Sequence, residues 1–261
     1  MPFQGVSMSV AMEATSLWDE LAEEYDPHRR SRRLWTKFSV WKELFEEAIG
    51  EATLILDVGC GAGAMALPLA EKPRIICASD ISGGMLKLAK KSAGKCQPSL
   101  LNRVFLIRAD SHYLPFRSNA FDAVYARFSL WPLKDPCKAV EEMTRVTRIN
   151  GRIIIAEVNR KEKNYSRLPL RAKIFYKIYK FFSRLLALRK DTSHVWRQLK
   201  AATRENPLVN LERTLNWLSA FNCKVVKVDC EVKFKTSTLL SRFLDVHPDY
   251  FLLVAEKHQR F

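Results

Sequence analysis

The six cysteines of this 261-residue chain include no C-x-x-C pair and no recurring spacing. That excludes a zinc ribbon and a disulfide framework, so Cys60, Cys77, Cys96, Cys137, Cys223 and Cys230 read as reduced thiols. No apolar run approaches the roughly 18 residues of a membrane span. The opening MPFQGVSMSVAMEATSLW lacks the basic start and continuous apolar stretch of a secretory signal. A cytoplasmic protein is the expectation, with the first twelve or so residues lacking order. Repeats and low-complexity tracts are missing too, and 48% apolar content fills a real core, which excludes a disordered or fibrous chain. His28, His112 and His194 have no ligand-like spacing, and no metal site is expected.

Acidic residues are scarce: 28 against 43 basic ones, a net charge of +15. Residues 161–210 alone carry 13 basic and 3 acidic side chains, a net of +10. Such a concentrated surplus favours an anionic partner, either nucleic acid or an acidic membrane face.

From residue 53 the pattern alternates between strands and helices. TLILDV (53–58), RIICASD (74–80), VFLIRAD (104–110), FDAVYAR (121–127) and RIIIAEV (152–158) read as five strands. Helices are predicted near Gly63, over 83–93, and from Asp135-Pro136 to about Arg148, with Gly151 as the stop. Two helices precede them, over 16–26 with Ser16 as N-cap and over 34–49. One further helix near 211–221 and strands near 223–231 and 249–256 complete the chain. This alternation predicts an α/β fold with a doubly wound, mostly parallel sheet. The chain divides into an N-terminal helical cap (1–50), a cofactor-binding core (51–160), an inserted basic amphipathic helical lid (161–210) and the C-terminal part of the same domain (211–261).

The stretch Asp57-Val58-Gly59-Cys60-Gly61-Ala62-Gly63 lies between a strand and a helix. Glycines there allow a tight turn and a close approach to a ligand. Asp80 ends the second strand, where a carboxylate can accept both hydroxyls of a ribose. Asp110 ends the third, where a carboxylate can accept from the exocyclic amine of adenine. Together they describe a pocket for an adenosine-bearing cofactor at the carboxyl edge of the sheet. A nicotinamide site is the rival reading, but its fingerprint is G-x-G-x-x-G, whereas this loop reads G-x-G-x-G.

The segments LILDVGCGAG (54–63), CASDIS (77–82), FLIRADSHYLPF (105–116) and FDAVYARFSLWPLKDPCKAVEEMTRV (121–146) resemble the class I S-adenosylmethionine-dependent methyltransferases. The resemblance covers about residues 53–158. It implies a Rossmann-like sheet of seven strands with the last antiparallel, and S-adenosylmethionine as cofactor with S-adenosylhomocysteine as product. It also implies that Gly59, Cys60 and Gly61 line the methionine part, that Asp80 holds the ribose, and that Asp110 with Ser111 lies beside the adenine. Asp57 would approach the cofactor's amino group, and Ile81 and Arg127 belong to the same cofactor-binding set. RVTRINGR (145–152) departs from the family's usual Pro-Gly-Gly turn.

Methyl transfer from a sulfonium needs alignment and exclusion of water more than a dedicated base. The acceptor should enter over the end of the fourth strand, where Ser129, Trp131 and Pro132 are the candidate catalytic residues. Ser129-Leu130-Trp131-Pro132 is not the (Asp/Asn/Ser)-Pro-Pro-aromatic motif of base-amine enzymes, yet Trp131 could stack on a planar acceptor. Pro136-Cys137 is better explained as a helix start than as a nucleophile.

Within 168–190, Leu170, Ile174, Ile178, Phe181 and Leu185 recur at helical spacing, with Lys173, Lys177, Lys180 and Arg184 expected on the opposite face. Charge favours RNA as acceptor, its phosphates met by Arg29, Arg30, Arg32 and Arg33 and by that basic face. Three alternatives stand beside it: a lipid or quinone acceptor, suggested by a resemblance of residues 121–158 to quinone-biosynthesis methyltransferases, a small metabolite, and a non-catalytic cofactor-binding role. Apolar residues of the inserted helix buried on the core would favour RNA, and exposed ones would favour lipid.

Overall fold

A computed structural model describes residues 8–25, 36–96, 98–160, 169–185, 192–245 and 247–259. Seven strands form one sheet: β1 (Leu54–Val58), β2 (Ile75–Asp80), β3 (Val104–Arg108), β4 (Phe121–Arg127), β5 (Thr147–Val158), β6 (Cys223–Asp229) and β7 (Tyr250–Lys257). Their order is β3-β2-β1-β4-β5-β7-β6. β1 to β5 are parallel, and β7 runs antiparallel between β5 and β6. The central strands are covered on both faces, which is why they read as continuous apolar runs.

One face packs under α2 (Phe38–Ile49), α3 (Ala66–Leu69) and α4 (Gly83–Cys96), with Trp41, Phe45, Leu69 and Ala93 over Ile55, Ile76 and Tyr125. The other packs under α5 (Pro136–Val146) and α8 (Leu211–Ala220), with Val140, Met143 and Leu218 over Leu56, Val124 and Ile153. The start of α5 follows the expectation: Asp135 Oδ1 accepts from Lys138 N at 2.9 Å, and Pro136 fills the first turn.

α1 (Met8–Leu21) and α7 (Ser193–Ala202) build a third apolar cluster from Leu17, Leu21, Val195 and Leu199. α6 (Leu170–Leu185), α9 (Val232–Thr236) and α10 (Leu239–Leu244) complete the helices. None of the helices is long and apolar enough to cross a membrane, among the described residues.

Three expectations are corrected. α1 begins at Met8, not at Ser16, which lies inside the helix, and order therefore starts within the first twelve residues. α5 ends at Val146 and Gly151 is not its stop: Thr147 is already extended, and its hydroxyl donates to Met143 O at 2.7 Å. β5 starts there, and its register on β4 shifts between Phe121 and Ala123, a bulge that places Asn150 at φ 60°. α7, α9 and α10 are not among the helices expected from the sequence; α9 and α10, five and six residues long, are too short for a helical period to show.

Candidate functional site

The parallel strands all end on one edge of the sheet, and the glycine turn sits at its centre. Gly59 and Gly61 have φ of 72° and 54°, which side chains rarely adopt. Gly59 has a second constraint, because a Cβ would lie 2.3 Å from Ser129 Cβ. At Gly61 a Cβ would project into open space, with only Met85 Sδ at 4.0 Å, so the backbone there can approach a ligand. The turn is pinned from β2: Gly59 N and Cys60 N both donate to Ser79 O at 2.9 Å.

Asp80 stands beside this turn. One carboxyl oxygen accepts from Gly61 N at 2.8 Å and the other from Ser82 N at 2.9 Å. Each oxygen keeps a further lone-pair site, the arrangement a ribose diol requires. Burial raises the Asp80 pKa, against the pull of those two backbone donors. Ile81 follows, its carbonyl accepting from Arg108 Nε at 3.1 Å. Cys60 is buried, and burial raises its thiol pKa, so it packs and does not attack.

Asp57 pairs in register with Tyr125, whose hydroxyl donates to Asp57 Oδ2 at 2.8 Å. Burial pushes the Asp57 pKa up to about 7, although the Tyr125 hydrogen bond and the Arg127 charge oppose it. The Arg127 guanidinium lies against the Trp41 and Phe128 rings, 5.4 and 5.1 Å from their centres.

Asp110 lies two residues past the end of β3. Its Oδ1 accepts from His112 N at 2.9 Å and meets His112 Nδ1 at 2.6 Å. His112 Nε2 in turn accepts from Asp135 N at 3.3 Å, which assigns the ring proton to Nδ1. Burial alone would raise Asp110, but these His112 contacts together leave its pKa lowered. Ser111 is half-buried in the turn between them.

The loop after β4 is strained and tied down. Phe128 holds φ 56° while its N–H donates to Ala156 O at 2.9 Å. Ser129 Oγ donates to Val58 O at 2.7 Å, a contact that joins the loop to β1. Glu157 is fully buried, and its Oε1 accepts from Leu130 N at 2.8 Å and Trp131 N at 3.3 Å. Burial lifts the Glu157 pKa to about 7 despite those donors. Pro132 O accepts from Asn206 Nδ2 at 2.9 Å.

Trp131 is half-buried in an aromatic group. Trp18 meets it edge-on at 6.1 Å, Trp196 and Tyr25 adjoin Trp18, and Arg160 lies 4.9 Å over the Trp131 ring. The neighbour of Trp18 explains its place: Asp19 Oδ1 accepts from Ser82 Oγ at 2.5 Å and Gly84 N at 2.8 Å. α1 is thereby docked beside Asp80, with its aromatic side against the β4 loop.

The structure thus brings Asp57, Gly59, Cys60, Gly61, Asp80, Asp110 and Ser129 to one edge. Tyr125, His112, Glu157, Trp18 and Asp19 escaped the sequence reading. Of these, Glu157 had a visible signal, an acid inside the apolar strand RIIIAEV. Lys173 and Lys177 are exposed on α6, Arg29, Arg30, Arg32 and Arg33 lie outside the described residues, and so do the side chains of Lys180 and Arg184. Cys137 is not activated, since burial and the Asp135 and Glu141 charges raise its pKa. Among the described residues no group of three His, Cys, Asp or Glu side chains could hold a metal.

A family profile described as a methyltransferase domain matches residues 56–155. A demethylmenaquinone methyltransferase from Renibacterium salmoninarum is 33% identical over 153 residues, 56% of this chain and 58% of that protein. The chain therefore spans little more than half of that relative. Another, from Lactiplantibacillus plantarum, is 30% identical over 66% of this chain and 73% of its own length. Among solved structures, a SAM-dependent methyltransferase from Aquifex aeolicus superposes with a TM-score of 0.57 at 16% identity, covering 91% of this chain and 97% of that one. That likeness shows the fold, with the same seven-stranded sheet expected from the sequence. Sheet order, glycine turn and a 30% identical relative matched over nearly three quarters of its length agree, and the chain belongs to the class I S-adenosylmethionine-dependent methyltransferase family.

Proposed function

We propose that the protein transfers a methyl group from S-adenosylmethionine to a planar, apolar acceptor of the quinol type. The observation that carries this reading is the aromatic group of Trp131, Trp18, Trp196 and Tyr25, which joins the β4 loop to α1, the helix that Asp19 anchors at Ser82 and Gly84 beside Asp80. Half-buried indole rings offer stacking surface to a flat ring and little to a charged backbone. The names of the relatives, demethylmenaquinone methyltransferases, support the same acceptor class. The RNA acceptor favoured by charge alone is set aside. Of its supposed core-packed apolar row on α6, Leu170, Ile174 and Ile178 are instead exposed at 72%, 50% and 53%, and the side chains of Phe181 and Leu185 lie outside the described residues.

The residues present fit the cofactor. Gly59, Cys60 and Gly61 would line its methionine part, Asp80 the ribose, Asp110 with Ser111 the adenine, and Asp57 its amino group, with Ile81 and Arg127 flanking. The cofactor supplies a methyl group already activated on a sulfonium. What remains for the protein is placement. Asp80 is preset by two backbone donors, and Asp110 is preset by His112, so neither must reorganise on binding. Glu157 fixes the backbone of Leu130 and Trp131, and Trp131 orients the acceptor ring. α1, anchored by Asp19, acts as the cap that excludes water from the carboxyl edge. With the cofactor bound, an electron-rich ring carbon of the acceptor would take the methyl group in line as S-adenosylhomocysteine leaves, and would then lose its ring proton to solvent or to a nearby carboxylate. An acceptor hydroxyl would give up its proton before transfer.

Incubation with methyl-labelled S-adenosylmethionine and separate lipid, RNA and metabolite fractions tests the reading. Label should enter the organic-extractable quinol fraction. Label in RNA, or in no fraction, would contradict it.

A further inference from the structure

Among the described residues, α6 and α10 present an exposed apolar face. Leu170, Ile174 and Ile178 on α6 are joined by Leu239 and Phe243 on α10, 83% and 69% exposed. The two sets are contiguous. The Arg171 guanidinium lies 5.7 Å from the Phe243 ring centre, and Arg171, Ile174 and Ile178 share one ridge of α6 by their spacing of three and four. On α10, Leu239 and Phe243 are four apart and share a side. Among the described side chains of α6, the inward ones are Ala172, which is buried, and Phe175, which is partly buried.

The charges that α6 brings to this face have one sign, and the acids that follow α10, Asp245 and Asp249, are engaged by Lys233. Lys173 and Lys177 are exposed, and at about 100° per residue they lie beside the apolar row and not opposite to it. The segment 169–185 contains no acidic residue. Two copies of such a face repel each other, whereas anionic headgroups neutralise it. Apolar side chains flanked by lysines are what the boundary of an acidic bilayer accepts.

The face also lies on the rim that matters. The chain leaves β5 for α6 and returns from α10 into β7, where Val158 pairs with Tyr250. That is the carboxyl end of the parallel strands, the edge that carries Asp57, Asp80 and the β4 loop.

We propose that the outward side of α6 and α10 docks on an anionic lipid bilayer, with Ile174, Ile178, Leu239 and Phe243 entering its interface and Arg171, Lys173 and Lys177 among the headgroups. The inference rests on the proposed apolar acceptor only for its purpose, which is to hold the mouth of the site at the membrane where such an acceptor resides.

Flotation of the full chain with phosphatidylcholine vesicles, with and without phosphatidylglycerol, tests it. The protein should float with the anionic vesicles and not with the neutral ones, and raised salt should release it. Ile174→Glu with Ile178→Glu, and separately Leu239→Glu with Phe243→Glu, should each lower the bound fraction at least tenfold. All four positions are exposed, and unchanged S-adenosylhomocysteine binding will report intact folding. Wild type that ignores anionic vesicles, or glutamate variants that float as well as wild type, would overturn the proposal. So would a dimer of the wild type that the Ile174→Glu with Ile178→Glu variant loses. Transfer to a detergent-dispersed quinol separates the two claims. Transfer without flotation removes docking and leaves the acceptor, and flotation without transfer to any fraction removes the acceptor and leaves docking.

Discussion

Asp57 is a carboxylate placed where charge is costly, at the buried end of β1 with Tyr125 as its hydrogen-bond donor. Because its pKa rises to about 7 in the folded protein, the fold binds that proton more tightly than the unfolded chain does. The resulting stability is complete below pH 4 or so and is lost as the pH climbs through 7, at no more than about 1.4 kcal/mol per pH unit. Asp57→Asn keeps an oxygen for Tyr125 and removes the titration. Urea midpoints at pH 5 and pH 7 should therefore differ less in the variant than in wild type. Gly59 makes a steric prediction at the same scale. Alanine there would have to adopt φ 72° and displace Ser129, whose Cβ lies 2.3 Å away. Gly59→Ala should cost at least about 2 kcal/mol, read as a lower melting temperature together with lost cofactor binding.

At the scale of elements, Glu157 is the tie between β5 and the loop after β4. Glu157→Ala leaves the Leu130 and Trp131 N–H groups buried without an acceptor, which should cost about 2–4 kcal/mol and raise the acceptor KM. Glu157→Gln retains a carbonyl for both donors and should restore most of each, as thermal melts and steady-state kinetics will show. The core elements were legible because their signals are local. β1, β2 and β4 are continuous apolar runs, the glycine turn interrupts one of them, and the Asp135-Pro136 cap marks α5. α6 was legible as a helix and misleading in its orientation. Periodicity defines an apolar row but says nothing of what covers it, and here Ala172, not Ile174, faces inward. His112, Tyr125 and Trp18 were hidden for a related reason. Each acts on a partner brought close by the fold: Asp110 across a tight turn, Asp57 across a strand pair, and Trp131 from a helix more than a hundred residues away.

For the whole molecule, charge and chemistry lie on different elements of one edge. The proposed cofactor-binding acids sit at the tips of β1 to β3, the aromatic group bridges α1, α7 and the β4 loop, and the exposed lysines Lys173 and Lys177 ride on α6. On the proposed docking, the surplus of basic residues serves to deliver the protein to its acceptor and does not identify the acceptor. This arrangement depends on a cofactor held by Asp80, and calorimetric titration with S-adenosylhomocysteine tests that most directly. The wild-type chain should bind one equivalent, and Asp80→Asn should weaken binding about 100-fold through loss of charge-assisted hydrogen bonds. No binding to the wild type, or equal affinity in the two proteins, would contradict the account.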